Sequence, residues 1–267
     1  MKRDTYFENK VIWITGASSG IGLEMAKQLD LLGARLILSS RNIEALNTLK
    51  TKLSSPEKHF VCALDLEKSS EFEKITQSII EKYSKIDILI NNGGISQRAN
   101  AMKTSLEIDR KIMEVNYFGN IALSKCVLPY MLQSRSGQIV VVSSIAGKFG
   151  FYLRSAYSAS KHALHGFYES LAMEEFNNGI RVTMVCPAKI NTPISVNAIN
   201  EKGTKSGIMD NNQRKGMPVS TCVKKIIRAI KHQKHEVIIG EEGVFAIKLK
   251  AFIPSLFRKL IRKQSAT

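Results

Sequence analysis

No run of about 20 uncharged apolar residues occurs in the 267-residue chain, so no membrane-spanning helix is expected. The N-terminus, Met1-Lys2-Arg3-Asp4-Thr5-Tyr6, lacks the pattern of a signal peptide and runs straight into a strand pattern. The four cysteines (Cys62, Cys126, Cys186, Cys222) are widely separated, with no CxxC or Cys/His spacing. That argues against a disulfide framework and a bound metal, and for reduced cysteines in a cytoplasmic protein. There is no internal repeat or low-complexity tract, and 44% hydrophobic content suits one globular domain with a large core. Acidic residues are the scarce charge: 23 Asp and Glu face 39 Lys and Arg, a net charge of +16. Partners are therefore expected among anions: nucleotide phosphate, acidic carrier proteins, nucleic acid or acidic lipid. Half of that excess lies beyond residue 220, where eleven Lys or Arg meet three Glu. No basic stripe with interleaved stacking aromatics is found outside this tail, so a nucleic-acid partner is not expected.

What is present begins with a short apolar strand, Lys10-Val11-Ile12-Trp13-Ile14, followed at once by Thr15-Gly16-Ala17-Ser18-Ser19-Gly20-Ile21-Gly22. A helical pattern with Leu23, Met25, Ala26 and Leu29 then runs to Gly33. Strand, glycine turn and helix open a dinucleotide-binding βαβ unit. Gly16 permits the tight turn, Gly20 lets the backbone approach a pyrophosphate, and Gly22 allows close helix packing. The helix N-terminus then offers free N–H groups and a positive dipole end to phosphate.

The second strand, residues 34–40, ends in Ser40 and Arg41. An acidic residue there would bind a ribose 2′-hydroxyl, whereas hydroxyls with a guanidinium suit a 2′-phosphate, so NADP is the expected cofactor. Asp65 and Leu66 end the third strand on the adenine side. A fourth strand runs into Asn91-Asn92-Gly93-Gly94. Residues 105–132 read as one long helix with Asn116 inside it, and a buried strand at 139–142 ends in Ser143 and Ser144. The next strand, 181–186, leads into Pro187, Ile190 and Thr192. Alternating strands and helices predict an α/β fold: a single-domain Rossmann fold, with a doubly wound parallel sheet and helices on both faces. Ligands bind such folds at the carboxyl ends of the strands, where every one of these motifs falls.

Tyr157-Ser158-Ala159-Ser160-Lys161 sets a tyrosine and a lysine one helical turn apart on one face. An ammonium near the phenol would lower its pKa toward the working pH of a general acid/base. Ser155 is the expected cap of this helix.

Together these segments resemble the short-chain dehydrogenase/reductase family: TGASSGIG at 15–22, NNGG at 91–94, Asn116, Ser144 and YSASK at 157–161, in the family's order. The resemblance spans residues 10–192. It implies that Tyr157 is the general acid/base and that Lys161 lowers its pKa and holds the nicotinamide ribose. Ser144 would bond the substrate oxygen, Asn116 would anchor a proton-relay water, and Asn92, Gly94 and the neighbouring glycines would contact the cofactor. Arg41 resembles the family's NADP determinant. Two positions depart from the pattern: Gly93 stands where alanine is usual, and Ala188 where glycine is usual.

The implied function is hydride transfer between NADP(H) and a carbonyl or secondary alcohol of a lipophilic small molecule. The alternatives are a 3-oxoacyl-carrier-protein-type reductase and a non-catalytic nucleotide-binding protein. The catalytic domain is expected to span 1–243, with a substrate flap at 193–218 whose polarity suggests order only with ligand. The tail, 244–267, is basic and amphipathic. Leu249, Phe252, Ile253, Leu256, Phe257, Leu260 and Ile261 fall at helical spacing among Lys248, Lys250, Arg258, Lys259, Arg262 and Lys263, and Pro254 starts, breaks or kinks the helix. Such a tail suits a membrane surface with acidic lipid, or packs on its own domain or a dimer contact; the membrane reading is preferred. The resemblance also implies a homodimer or homotetramer.

Overall fold

The structure is a computed structural model that describes residues 5–262; Met1 to Asp4 and the last tail residues, 263–267, lie outside it. Seven parallel strands form one sheet: β1 (Val11–Thr15), β2 (Arg35–Ser40), β3 (Phe60–Ala63), β4 (Ile88–Asn91), β5 (Gly137–Val142), β6 (Ile180–Pro187) and β7 (Glu236–Ile239). Their spatial order is β3-β2-β1-β4-β5-β6-β7. The chain winds outward from β1 in one direction, then returns to place β4 on its other side. That reversal leaves a crevice at the carboxyl ends of β1 and β4.

Period-two alternation distributes the strands' side chains to two cores. Ile12, Ile14, Leu36, Leu38, Ile88, Ile90 and Val140 pack with Met25 and Leu29 of α1 (Gly20–Leu31), Leu46 of α2 (Ile43–Thr51) and Ile226 of α8 (Val219–Lys231). Val11, Trp13, Ile37, Leu89, Ile139 and Val141 turn the other way. They meet Phe72 and Ile79 of α3 (Phe72–Tyr83), Leu123 and Val127 of α5 (Gly119–Gln133), and Leu164 and Tyr168 of α6 (Ser155–Glu174). Burying each such large side chain contributes about 2 kcal/mol. A helical turn, α7 (Asn211–Arg214), lies in the 193–218 segment.

The expected long helix is interrupted. It comprises α4 (Leu106–Met113), a π-helical turn at Glu114–Phe118, and α5. Asn116 sits in that turn and is fully buried. A π-turn widens the helix and redirects a side chain, and such turns recur at functional sites. Behind the site, the Tyr168 hydroxyl bonds to Asn91, Ser124 and Asn120, tying the end of β4 to α5 and α6.

The tail forms α9 (Glu241–Phe252) and α10 (Pro254–Ile261), with Pro254 opening the second helix, where its missing N–H costs nothing. Phe257, Ile261, Ala246, Ile247 and Leu249 pack on Ile145, Phe149 and Phe151. One face of the tail thus packs on the domain, while Phe245, Phe252, Ile253, Leu256 and Leu260 remain exposed.

A buried pair links α1 to β3. His59 Nδ1 accepts the Leu36 N–H at 3.1 Å, so Nε2 carries the proton it shares with Asp30 Oδ1 at 2.8 Å. Burial holds His59 below its ordinary pKa. Burial raises Asp30, but hydrogen bonds from Ser54 and His59 outweigh it and hold the carboxyl below its usual value. Both groups thus bind fewer protons folded than unfolded, so stability falls as pH drops, first below about 6.5 and again below about 4. Replacing His59→Ala strands the carboxylate and should cost about 3 kcal/mol in urea unfolding at pH 7; the variant should also lose the midpoint decline near pH 6.

Candidate active site

A cavity of about 960 Å³ opens at the carboxyl ends of the strands. Of the residues singled out in the sequence, Gly16, Ser18, Ser19, Gly20, Ile21, Arg41, Asp65, Leu66, Asn92, Gly94, Ser144, Tyr157, Lys161, Pro187, Ile190 and Thr192 line it. Gly22 and Asn116 stand just behind its wall.

One end is the glycine turn. Gly16 adopts φ +65°, a left-handed conformation that glycine enters without penalty. A Cβ on Gly22 would lie 2.4 Å from the Gly16 carbonyl oxygen and 2.5 Å from Asn92 Nδ2. Asn92 holds this turn: its side-chain amide donates to the carbonyls of Thr15 (3.0 Å) and Gly16 (3.3 Å). Ser19 precedes α1 without a side-chain cap, leaving the first N–H groups of the helix directed at the cavity. Uncapped donors and a close-packed glycine cradle fit a dinucleotide pyrophosphate. Gly93 has a packing reason: an added methyl would meet Leu66 Cδ1 at 2.8 Å.

Arg41 sits at the rim, its side chain 63% exposed, with Nη1 4.0 Å from Glu67 Oε2. Glu67 also pairs with Lys111 at 3.4 Å. The strand end itself is free of acid, as in the sequence, but folding brings in one acidic neighbour and a second cation.

At the other end α6 presents Tyr157 and Lys161. Ser155 does not cap this helix; no side-chain cap bond is made by the helix's own residues. Gln97, from the loop after β4, takes that part: its Oε1 accepts the N–H groups of Ala156 (2.8 Å) and Tyr157 (3.3 Å). Ser144 Oγ accepts the Ala146 N–H at 3.1 Å, leaving its own proton free to donate. Asn116 exchanges both bonds with the Ile95 backbone (2.8 and 2.9 Å) and donates to Ser160 Oγ at 3.0 Å.

Lys161 Nζ donates to the Val142 carbonyl at 2.9 Å and lies 5.8 Å from the centre of the Tyr157 ring. Burial pushes the Tyr157 phenol above its ordinary pKa, opposed by the Arg154 guanidinium and a hydrogen bond from Ser144. Lys161 itself is pushed down to about 8, chiefly by burial. The bland physical reason is desolvation: both groups are nearly out of water, and each resists its charged form.

Ala188 stays out of the left-handed region. Its N–H donates to Ile239 O at 2.8 Å, and its methyl packs toward Gly243 of α9. Beneath Lys161 the fold also gathers His165, Cys186 and Glu236, three ligand-type side chains with no sequence spacing to announce them; the Lys148 ammonium pairs with Glu236 and supplies the positive charge there. Gln97, Arg154 and Asp210 were not legible as site residues. Only Arg154, one turn before Tyr157, carried even a spacing signal.

The sequence profile of the short chain dehydrogenase family matches residues 10–203. The chain belongs to this family. It is 36% identical over 271 residues to mouse dehydrogenase/reductase SDR family member 7B, covering 99% of this chain and 84% of the relative. With human dehydrogenase/reductase SDR family member 7 it shares 40% identity over 238 residues, 87% of this chain and 70% of the relative. A Streptomyces avermitilis short-chain dehydrogenase superposes with TM-score 0.80 at 25% identity, covering 96% of each chain. A Burkholderia phymatum enzyme crystallised with NAD has the same fold, TM-score 0.84 at 22% identity over 94% of this chain and 96% of that one. The protein is thus a nicotinamide-dependent oxidoreductase of the short-chain dehydrogenase family, acting on CH–OH groups. Among the described residues no helix is long and apolar enough to cross a membrane.

Gly22→Ala should force the turn open, costing about 1–3 kcal/mol of strain. Nucleotide binding measured by calorimetry should weaken roughly tenfold or more, with the circular dichroism spectrum unchanged.

Proposed function

We propose that this short-chain dehydrogenase uses NADPH to reduce a lipophilic carbonyl compound at a membrane surface. The observation that carries the reading is one cavity with Arg41 at its nucleotide end and Ser144, Tyr157 and Lys161 at the other. Bound NADPH supplies the hydride. Ser144 and the Tyr157 hydroxyl donate hydrogen bonds to the substrate oxygen, where negative charge develops, and stabilise it in a buried setting. Tyr157, whose phenol burial pushes further above its ordinary pKa, is protonated at neutral pH and delivers the proton. Lys161 holds the nicotinamide ribose, and Asn116 anchors the relay that returns a proton to the site.

NADP preference rests on Arg41 with Lys111 behind it. A 2′-phosphate competes with Glu67 for the guanidinium, while Lys111 offsets the displaced carboxylate. A lipophilic substrate is supported by Ile145, Phe151, Tyr152, Ile194 and Ile261 in the cavity wall. Ile261 comes from α10, whose other side exposes Leu256 and Leu260 beside Arg258 and Lys259. A helix pair basic and apolar on its outer side suits an anionic bilayer. Phe118, Met173 and Phe176, exposed on the π-turn, α6 and the turn after it, support self-association into a homodimer or homotetramer.

Two measurements test the reading. Titration of NADPH and NADH should show tighter NADPH binding, weakened about tenfold in Arg41→Ala with NADH unaffected; equal binding of the two would remove NADP. Sedimentation with phosphatidylserine vesicles should fall in Phe252→Glu/Leu256→Glu, two exposed positions whose replacement leaves the packed face intact. Vesicle binding unchanged by that pair would remove the membrane from the reading.

A further inference from the structure

Above Tyr157 the cavity wall holds a cluster of charge that the roles assigned so far do not use. Arg154, immediately before α6, lies with its guanidinium carbon 5.9 Å from the centre of the Tyr157 ring. Its Nη1 donates to Ser96 Oγ at 2.7 Å and its Nη2 to Asp210 Oδ2 at 2.8 Å. Arg154 and Asp210 both line the cavity. Asp210 is 5% exposed and is also ion-paired with Arg98. These residues come from three places: Ser96 and Arg98 from the loop after β4, Arg154 from the start of α6, and Asp210 from the 193–218 segment.

That segment, whose polarity alone would leave it loose, is docked on the same loop. Ile199 N–H donates to Ser96 O and Arg98 N–H to Ile199 O, both at 2.8 Å. Ser195 and Ala198 are fully buried. Docking the segment carries the Asp210 carboxylate inward, and a buried carboxylate is retained only where cations meet it. Arg154 is thereby fixed at both ends, by Ser96 and by Asp210, with its charge beside the phenol.

We propose that Arg154 is a positioning residue for Tyr157, and that Asp210 holds it there when the 193–218 segment covers the cavity, so that covering the substrate and readying the phenol are one event. The proposal rests on the reading of Tyr157 as acid/base. The charged and hydrogen-bonding groups near the phenol are Lys161 on its own helix, Arg154 at the helix start and Ser144 at the end of β5, with Asp210 of the covering segment paired to Arg154 and Arg98; Lys189 and Lys205 also line the cavity. A fixed cation near a buried phenol favours the phenolate. Loss of Asp210 frees Arg154 to turn to solvent, and that stabilisation goes with it. The coupling is consistent with the two influences opposing burial at Tyr157, which are Arg154 and Ser144.

The test is a near-ultraviolet tyrosinate titration of the NADP⁺-saturated protein, taking the difference between each variant and its Tyr157→Phe counterpart. This isolates Tyr157 and needs no identified substrate. In Arg154→Gln the acid constant of Tyr157 should fall about tenfold, and Arg154→Lys should recover part of it. Asp210→Asn should shift the titration the same way by less, and should speed hydrogen exchange across residues 193–218; Asp210→Glu should restore both. An unmoved titration in Arg154→Gln, in a protein that still binds NADP⁺, overturns the proposal. So does a titration that shifts in Arg154→Gln but stays fixed in Asp210→Asn while exchange accelerates, because the two events are then separate. Failure of the underlying reading looks different: Tyr157→Phe would retain turnover in a panel of ketones with NADPH, whatever the titrations show.

Discussion

Three backbone segments meet at the closest permitted distance where Gly16, Gly22 and Asn92 converge. Everything at the site is placed relative to that contact. Because Gly16 and Gly22 carry no side chain, the Asn92 amide fits between the end of β1 and the start of α1 and joins them to the end of β4. Asn92 keeps them together by donating to the turn's own carbonyls. The Tyr168 network does the same from behind, fastening β4 to the helices that carry Asn116 and Tyr157. The glycine turn and the helix that carries Tyr157 are therefore two ends of one connected framework, the arrangement that hydride transfer between fixed partners demands.

Burial then sets the electrostatics. Tyr157 and Lys161 sit on adjacent turns of α6, the lysine ammonium donates to a backbone carbonyl, and a second cation at a similar distance from the phenol ring, Arg154, lies outside the motif. Desolvation penalises the charged form of both groups, so changes in fixed charge nearby have a large lever on them. A segment that brings a carboxylate into this region has electrostatic consequences as well as steric ones.

The tail shows how one amphipathic pattern divides between a packed and an exposed face. Phe257 and Ile261 insert beside Ile145, directly after Ser144, while Phe252 and Leu256 face outward. The Ala188 methyl, in place of the usual glycine, packs against the same tail near Gly243. A departure from the family pattern that looks like a local backbone matter is thus tied to an element more than fifty residues away in the chain.

The sequence by itself determined the parallel α/β architecture, the glycine turn, the pairing of Tyr157 with Lys161 on one helix face and the absence of an acid at the end of β2. Each of these is encoded locally, in hydrophobic period, in glycine, or in residues one helical turn apart. Only the tertiary structure decided that Gln97 caps α6 in place of Ser155, that Asn116 occupies a π-turn, and that Glu67 and Lys111 flank Arg41. It alone assigned Asp210 to Arg154 and brought His165, Cys186 and Glu236 together. Those relations join residues 21 to 71 positions apart in the chain, from His165–Cys186 to His165–Glu236. Nothing in local spacing records them, because they exist only once the sheet order has placed those residues side by side.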